Sequence, residues 1–156
     1  KNARYVANSN EHDEVGDIDE DPEIRVQMHA KRLRKLQTLA DELPPPNMYG
    51  PQEADISIIA WGSTKGPVLE ALKALEAEGI KANFIHPIYI FPFPTEAMKS
   101  FLGSAKKTLL IEGNHNAQMG QLIRENTLMD VDEKLLKWDG RPFYPSEIIE
   151  KVKSLL

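Results

Sequence analysis

The sequence predicts an α/β protein: a three-layer α/β/α sandwich around a mostly parallel sheet, preceded by an N-terminal loop and helix. Three observations carry this expectation. From Asp55 onward, short apolar runs alternate with segments of helical periodicity. The runs are continuous, as strands buried on both faces require. Glycine or proline punctuates most of the changes between them.

The elements follow in order. Residues 11–23 are acidic, with Glu11, Asp13, Glu14, Asp17, Asp19, Glu20, Asp21 and Glu23 and no Lys or Arg. A helix follows: Asp21 suits its N-cap, Pro22 its first position and Glu23 the positive end of its dipole. Val26, Ala30, Leu33, Leu36, Ala40 and Leu43 recur at helical spacing as its expected buried stripe. Pro44, Pro45 and Pro46 stop it, and the stretch through Pro51 reads as a stiff linker. Residues 1–51 are thus one region and residues 52–156 an α/β domain.

Within that domain, residues 56–61 form the first strand, and the helix from Pro67 to Glu78 buries Val68, Ala71, Leu72 and Leu75 before Gly79 ends it. Residues 80–86 are the second strand. Thr95 caps a short helix carrying Met98, Phe101 and Leu102. Residues 108–112 are the third strand, and 116–128 a helix with Met119, Leu122 and Ile123 inward. Residues 134–138 make a fourth strand before the Asp139-Gly140 turn, and 145–156 a last helix burying Ile148, Ile149 and Val152.

Composition excludes several functions. A chain of 156 residues with net charge −5 lacks the basic surface that general nucleic-acid binding needs. It has no cysteine, hence no disulfide, no thiol chemistry and no Cys-ligated zinc or iron–sulfur centre of its own. No apolar run has the length of a membrane span and no signal peptide opens the sequence, so the expected location is cytoplasmic. The chain opens on Lys1 rather than Met, as a piece of a longer protein would.

Five constellations bear on chemistry or contact. Gly62, Ser63, Thr64, Lys65 and Gly66 join a strand to a helix, where N–H groups can cradle a phosphate. The spacing fits neither a Walker loop nor a dinucleotide fingerprint, and a tight turn accounts for both glycines. His86, Glu112 and His115 all lie at strand ends that converge on one rim. No spacing there demands a metal or an acid/base pair. The plainer reading has Asn114 or Asn116 capping the helix, His115 exposed and Glu112 bonded to nearby backbone. Asp17, Asp19 and Asp21 begin like a calcium loop, but Pro22 stands where Gly is needed and Met28 where Glu is needed. Arg25, Lys31, Arg32, Arg34 and Lys35 are expected to pair with the acidic segment or another subunit. Finally, Ile88, Tyr89, Ile90, Phe91, Pro92, Phe93 and Pro94 form a rigid apolar loop, a docking patch if exposed and a seal on the sheet rim if buried.

Together these residues resemble the C-terminal part of the alpha subunit of 2-oxoacid:ferredoxin oxidoreductases, close to the 2-oxoglutarate type. The resemblance spans nearly the whole chain. It rests on Glu11, His12, Asp13, Glu14 and Gly16, then Asp21-Pro22-Glu23, Lys31-Arg32 and Lys35-Leu36. Trp61-Gly62-Ser63, Pro92-Phe93-Pro94, Glu112-Gly113-Asn114, Gly120-Gln121-Leu122 and Gly140-Arg141-Pro142-Phe143 continue it. After Asn114 the chain departs from the family pattern, carrying its glycine–glutamine pair later, at Gly120-Gln121.

The resemblance implies a domain similar to the C-terminal domain of transketolase-type thiamine diphosphate enzymes. Complete family enzymes oxidatively decarboxylate a 2-oxoacid, form an acyl-CoA and pass electrons through iron–sulfur clusters to ferredoxin. In them a pyrimidine-binding alpha domain precedes this region, and the beta subunit holds the diphosphate and magnesium. The implied role here is structural: no catalytic, cofactor-binding or metal-binding residue, with beta and gamma subunits and the preceding alpha domain as partners. Glu11, His12, Asp13, Glu14, Phe91, Phe93, Glu112 and Asn114 are the expected interface or active-site-entrance residues. Two rivals remain: a free-standing α/β module holding an anion at Gly62 to Gly66, and a pure assembly module contacting through the first helix and the Phe91–Pro94 segment.

Overall fold

Asp21 starts the first helix, α1 (Pro22–Glu42), by accepting the N–H groups of Glu23 at 2.7 Å and Ile24 at 3.4 Å. The helix ends at Leu43, which is extended (φ −71°, ψ 135°) because a residue before proline is driven out of the helical region. The computed structural model describes residues 9–156; residues 1–8 of the expected N-terminal region lie outside the described residues. The chain divides into two units, Lys1–Leu43 and Pro44–Leu156.

In the first unit the acidic segment is a turn with its own order. Asp13 Oδ1 accepts the N–H groups of Val15 (2.9 Å), Gly16 (2.9 Å) and Asp17 (3.0 Å), and His12 bridges Ile18 in antiparallel fashion. Arg32 grips Glu11 with both terminal nitrogens, at 3.0 and 2.8 Å, and Lys31 reaches Glu14 at 3.3 Å. The expected buried stripe of α1 is corrected. Only Met28 is buried along the helix, while Val26 is 68% exposed and Leu33 56%. Helical spacing gathers those side chains on one side, and among the described residues of this unit nothing apolar covers Val26 or Leu33.

The second unit begins with a further correction, since the expected linker contributes a strand. Strand β1 (Asn47–Tyr49) pairs antiparallel with β3 (Ala82–His86). The Tyr49 ring stacks on Phe84 at 5.5 Å, and Asn83 Nδ2 donates to the Pro51 carbonyl at 3.0 Å. Gly50 (φ +88°) lies so close to the next strand that a Cβ there would stand 2.6 Å from the Ala82 carbonyl oxygen. The division of the chain therefore falls before Pro44, and the proline-rich stretch belongs to the α/β unit.

The remaining elements are β2 (Ile56–Ala60), α2 (Lys65–Ala77), α3 (Thr95–Ser104), β4 (Thr108–Glu112), α4 (Gln118–Thr127), β5 (Glu133–Leu136) and α5 (Pro145–Lys153). The sheet order is β1-β3-β2-β4-β5, and every pairing except β1 with β3 is parallel. All residues of β2, β3 and β4 are buried, as strands covered on both faces must be, the polar Ser57, Asn83, His86, Thr108 and Glu112 among them. Alternation along the strands divides two cores. Ile56, Ile58, Phe84, Leu109 and Ile111 meet Val68, Ala71 and Leu75 of α2 and Ile148 and Val152 of α5. Ile59, Ile85 and Leu110 meet Met98, Phe101 and Leu102 of α3 and Met119 and Ile123 of α4 on the other face. Each fully buried aliphatic or aromatic side chain contributes about 1.5–3 kcal/mol, so the three-layer arrangement follows from the sheet having two apolar faces.

Candidate functional site

The connection leaving β2 runs to α2 on one face of the sheet, and that leaving β4 runs to α4 on the other. This divergence places a topological switch point at the C-terminal ends of β2 and β4, where open α/β sheets usually hold ligands. Here the crevice is filled from within. Glu112, the last residue of β4, is completely buried. Its Oε1 accepts the Gly120 N–H at 3.0 Å. Its Oε2 accepts the Met119 N–H at 3.0 Å, the Asn114 amide at 2.6 Å and, more distantly, the Trp61 indole at 3.4 Å. Four donors thus converge on the carboxylate, and both of its oxygens are engaged.

Glu112 thereby caps α4. Ala117, which precedes the helix, is left-handed (φ 53°) and supplies no side-chain cap. The negative carboxylate sits against the first free N–H groups of the helix, where the dipole favours it. Asn114 Oδ1 adds a bond from the Gln118 N–H at 3.3 Å. Gly120 is required by packing: a Cβ there would meet Leu110 Cδ2 at 2.8 Å. An expected interface or entrance residue, Glu112, thus faces no solvent. Burial at the head of α4 is the physical reason for the correction.

His86, Glu112 and His115 do not form one site. His86 follows Phe84 by two residues and shares its face of the sheet, under α2, whereas Glu112 bonds the backbone of α4 on the opposite face. His115 is exposed, with its ring edge-on to Trp138 at 4.6 Å and Nδ1 2.7 Å from Asn116 Oδ1. His86 is 7% exposed, and neither ring nitrogen has a hydrogen-bond partner. Burial lowers its pKa below the ordinary histidine value, and the Lys65 charge lowers it further. Among the described residues no set of three His, Asp or Glu side chains is arranged to hold a metal.

The loop after β3 divides its apolar residues. Ile90 and Phe93 pack against the α3/α4 core, while Ile88 (56%), Tyr89 (45%) and Phe91 (72%) face outward. Sealing and docking are therefore roles of different residues in one loop. Trp138 and Tyr144, beyond β5, are also exposed. In the first unit, Glu11, His12, Asp13 and Glu14 form the ordered turn on α1. The Arg32 guanidinium holds the Glu11 carboxyl down at about 2, chiefly through its hydrogen bonds. Trp61 and Gly120 escaped sequence reasoning as partners of Glu112. The usable signal was the small residue at 120, eight positions beyond a strand-end carboxylate.

Residues 54–148 match the family model described as pyruvate:ferredoxin oxidoreductase core domain II. The 2-oxoacid:ferredoxin oxidoreductase subunit alpha of Saccharolobus solfataricus is 37% identical over 157 residues, covering 99% of this chain and 25% of its own length. Among solved structures, a 2-oxoglutarate:ferredoxin oxidoreductase from Magnetococcus marinus, with 2-oxoglutarate, coenzyme A and succinyl-CoA bound, is similar. It aligns at TM-score 0.81 and 34% identity over 98% of this chain and 27% of that one. A split-gene transketolase shares the fold, at TM-score 0.55 and 20% identity over 72% of this chain and 42% of its own. The chain spans about a quarter of the length of the curated relatives it matches.

Proposed function

From the membership of this chain in the 2-oxoacid:ferredoxin oxidoreductase alpha-subunit family, through its core domain II, we propose that it is a structural, subunit-assembly domain. The parent enzyme, on this reading, is thiamine-diphosphate-dependent, converts a 2-oxoacid to an acyl-CoA and reduces ferredoxin. The observation that carries the assembly role is the apolar surface left open. Val26 and Leu33 line α1, and Ile88 and Phe91 project from the β3–α3 loop, each more than half exposed. Large apolar side chains that stand open in groups mark surfaces covered by a partner. The rest of the alpha subunit and the beta and gamma subunits are the proposed partners, with ferredoxin and coenzyme A engaged through the complex.

The donor chemistry of this chain does not fit the family's cofactors. Iron–sulfur clusters need thiolates, and the sequence has none. Magnesium with a diphosphate needs free carboxylate or carbonyl oxygens, whereas the strand-end carboxylate of Glu112 is buried and both its oxygens accept N–H groups of this chain. No reaction step is therefore assigned to these residues.

Substituting Val26→Asp with Leu33→Asp, and separately Ile88→Asp with Phe91→Asp, in the intact multi-subunit enzyme tests the reading. Light scattering after size exclusion should show loss of assembled complex, with unchanged circular dichroism of the isolated chain. Full assembly and turnover in both double variants would refute it. No helix among the described residues is long and apolar enough to cross a membrane, so the open surfaces do not compose a helical span.

A further inference from the structure

Helix α1 has two sides of opposite character. Met28, Lys31 and Arg32 share one side, and it carries the acidic turn: Arg32 holds Glu11, Lys31 holds Glu14 and Met28 is buried. At about 100° per residue, Val26, Ala30, Leu33 and Gln37 fall within about 60° of one another on the other side. Val26 is 68% exposed and Leu33 56%, so this seam stands open among the described residues. Two exposed charges, Glu23 and Arg34, flank the seam along the same edge. Among the described residues neither of these side chains is in an ion pair. Glu14, which lines the same hollow as Val26 and Arg34, is already held by Lys31. The positions along the helix are as specific as those around it. The midpoint of Val26 and Leu33 and the midpoint of Glu23 and Arg34 both fall beside His29. A surface whose apolar and charged members share one centre is complementary to itself when turned end for end.

We propose that α1 pairs antiparallel with α1 of a second copy of this chain, about a two-fold axis beside His29 and Ala30. Val26 of each copy then packs on Leu33 of the other, and Glu23 of each meets Arg34 of the other. Ala30, a small residue at the crossing, lets the two backbones approach closely. In an antiparallel pair one edge of a helix faces the same edge of its partner, so the opposite charges meet twice per dimer. A parallel pair would leave them about 16 Å apart along the axis. The shared seam runs from Pro22 to Gln37, about 24 Å, too short to bury the roughly 1,200–2,000 Å² of a stable interface. The isolated chain is therefore expected to associate only at high micromolar concentration, with the pair forming one part of a larger contact in an assembled enzyme. The pairing rests on the assembly role, for which it names the partner of α1.

The test begins with sedimentation equilibrium of the full 156-residue chain, which should show a monomer–dimer equilibrium. Glu23→Arg and Arg34→Glu should each weaken it about tenfold, since two attractions become two repulsions, and the two changes together should restore it. Crosslinking reads the orientation separately. The chain has no cysteine, so Val26→Cys with Leu33→Cys supplies its only thiols. Within one helix these positions lie two turns apart, about 10 Å, too far to bridge. Oxidised glutathione, reduced to two thiols as each disulfide forms, should therefore link copies of the double variant and leave either single variant largely unlinked. A chain that stays monomeric up to about 1 mM overturns the pairing. So does a double charge reversal that fails to restore association, or a single-cysteine variant that crosslinks as fast as the double one. If the chain is monomeric while Val26→Asp with Leu33→Asp still disassembles the intact enzyme, the assembly role stands and the second copy is excluded as the partner of α1.

Discussion

Replacing Glu112 by glutamine separates a structural carboxylate from one kept for chemistry. The change preserves volume and one acceptor oxygen, but it turns the other oxygen into an NH₂ group. With the amide nitrogen at the Oε1 position, a donor faces the Gly120 N–H, now 3.0 Å from an acceptor. With the amide flipped, the conflict falls on Met119, Asn114 and Trp61 together. The better rotamer still leaves one buried N–H without an acceptor, which costs about 1–3 kcal/mol. Losing the negative charge at the head of α4 adds about 0.3–2 kcal/mol. The expected destabilisation is therefore about 2–4 kcal/mol. Urea unfolding followed by Trp fluorescence reads it directly, because Trp61 is one of the partners; at a slope of about 2 kcal/mol per molar the midpoint falls by about 1–2 M. Glu112→Ala should cost more, since it removes every acceptor and leaves a cavity. A loss in Glu112→Gln below about 0.5 kcal/mol, the range of ordinary surface changes, would refute the capping account.

Other perturbations test other parts of the fold. Gly50→Ala should cost about 3 kcal/mol, combining a left-handed backbone with the 2.6 Å approach to Ala82, whereas Gly79→Ala, equally left-handed but in open space, should cost about 1 kcal/mol. Equal melting-temperature shifts for the two would mean that β1 is not seated on β3. Thr108→Val should destabilise by about 1 kcal/mol, because Asp132 Oδ2 loses the Thr108 hydroxyl at 2.7 Å and the Asp132 N–H loses its acceptor at 2.8 Å. The Thr108 hydroxyl, then its N–H, lowers the Asp132 pKa. This contribution is complete above the ordinary carboxylate range and disappears as pH falls through the lowered value, so Thr108→Val should flatten the acid limb of the stability curve. Glu11 behaves alike: held at about 2 rather than 4.5, chiefly by Arg32, it should keep the acidic turn on α1 until pH falls towards 2. Arg32→Ala should return the Glu11 titration, followed by carboxyl NMR shifts, to the ordinary range.

Why some of this was legible in the sequence, and some not, follows from the range of the interactions. Strands β2, β3 and β4 are buried on both faces, so their composition alone marks them, and Asp21 and Pro22 bond or clash only with near neighbours at the start of α1. Strand β1 carries no such mark. It is three residues long, two of them exposed, and its place comes from a ladder to β3 and a ring stacked on Phe84. The helix α4 starts at 118 rather than 116: its main cap is the carboxylate of Glu112 on the preceding strand, six residues before Gln118, with Asn114 accepting only the Gln118 N–H. At the site, Glu112 and Asn114 were visible as candidates, but which donors they serve depends on Trp61 and Gly120, which only the folded sheet brings near. His86 was visible as a strand-end histidine; that it lies across the sheet from Glu112 depends on the parity of two strands in register.

The closed switch point bears on how the chain contributes to a larger enzyme. In sheets of this order the diverging loops of β2 and β4 usually leave a crevice in which a ligand rests. Here an indole and a carboxylate occupy it, and both oxygens of the carboxylate accept N–H groups from the head of α4. A rim built that way resists rearrangement, since moving α4 would strand the Glu112 charge in the interior, a cost of several kcal/mol. Such rigidity suits a surface that orients neighbouring domains better than one that opens and closes on a substrate. The exposed residues of the same rim, Ile88, Phe91 and Trp138, are apolar and rotamer-poor compared with lysine or glutamate, so ordering them against a partner costs little entropy. The fold's usual ligand position thus serves cohesion, and the contacts available to a partner lie on the loops around it.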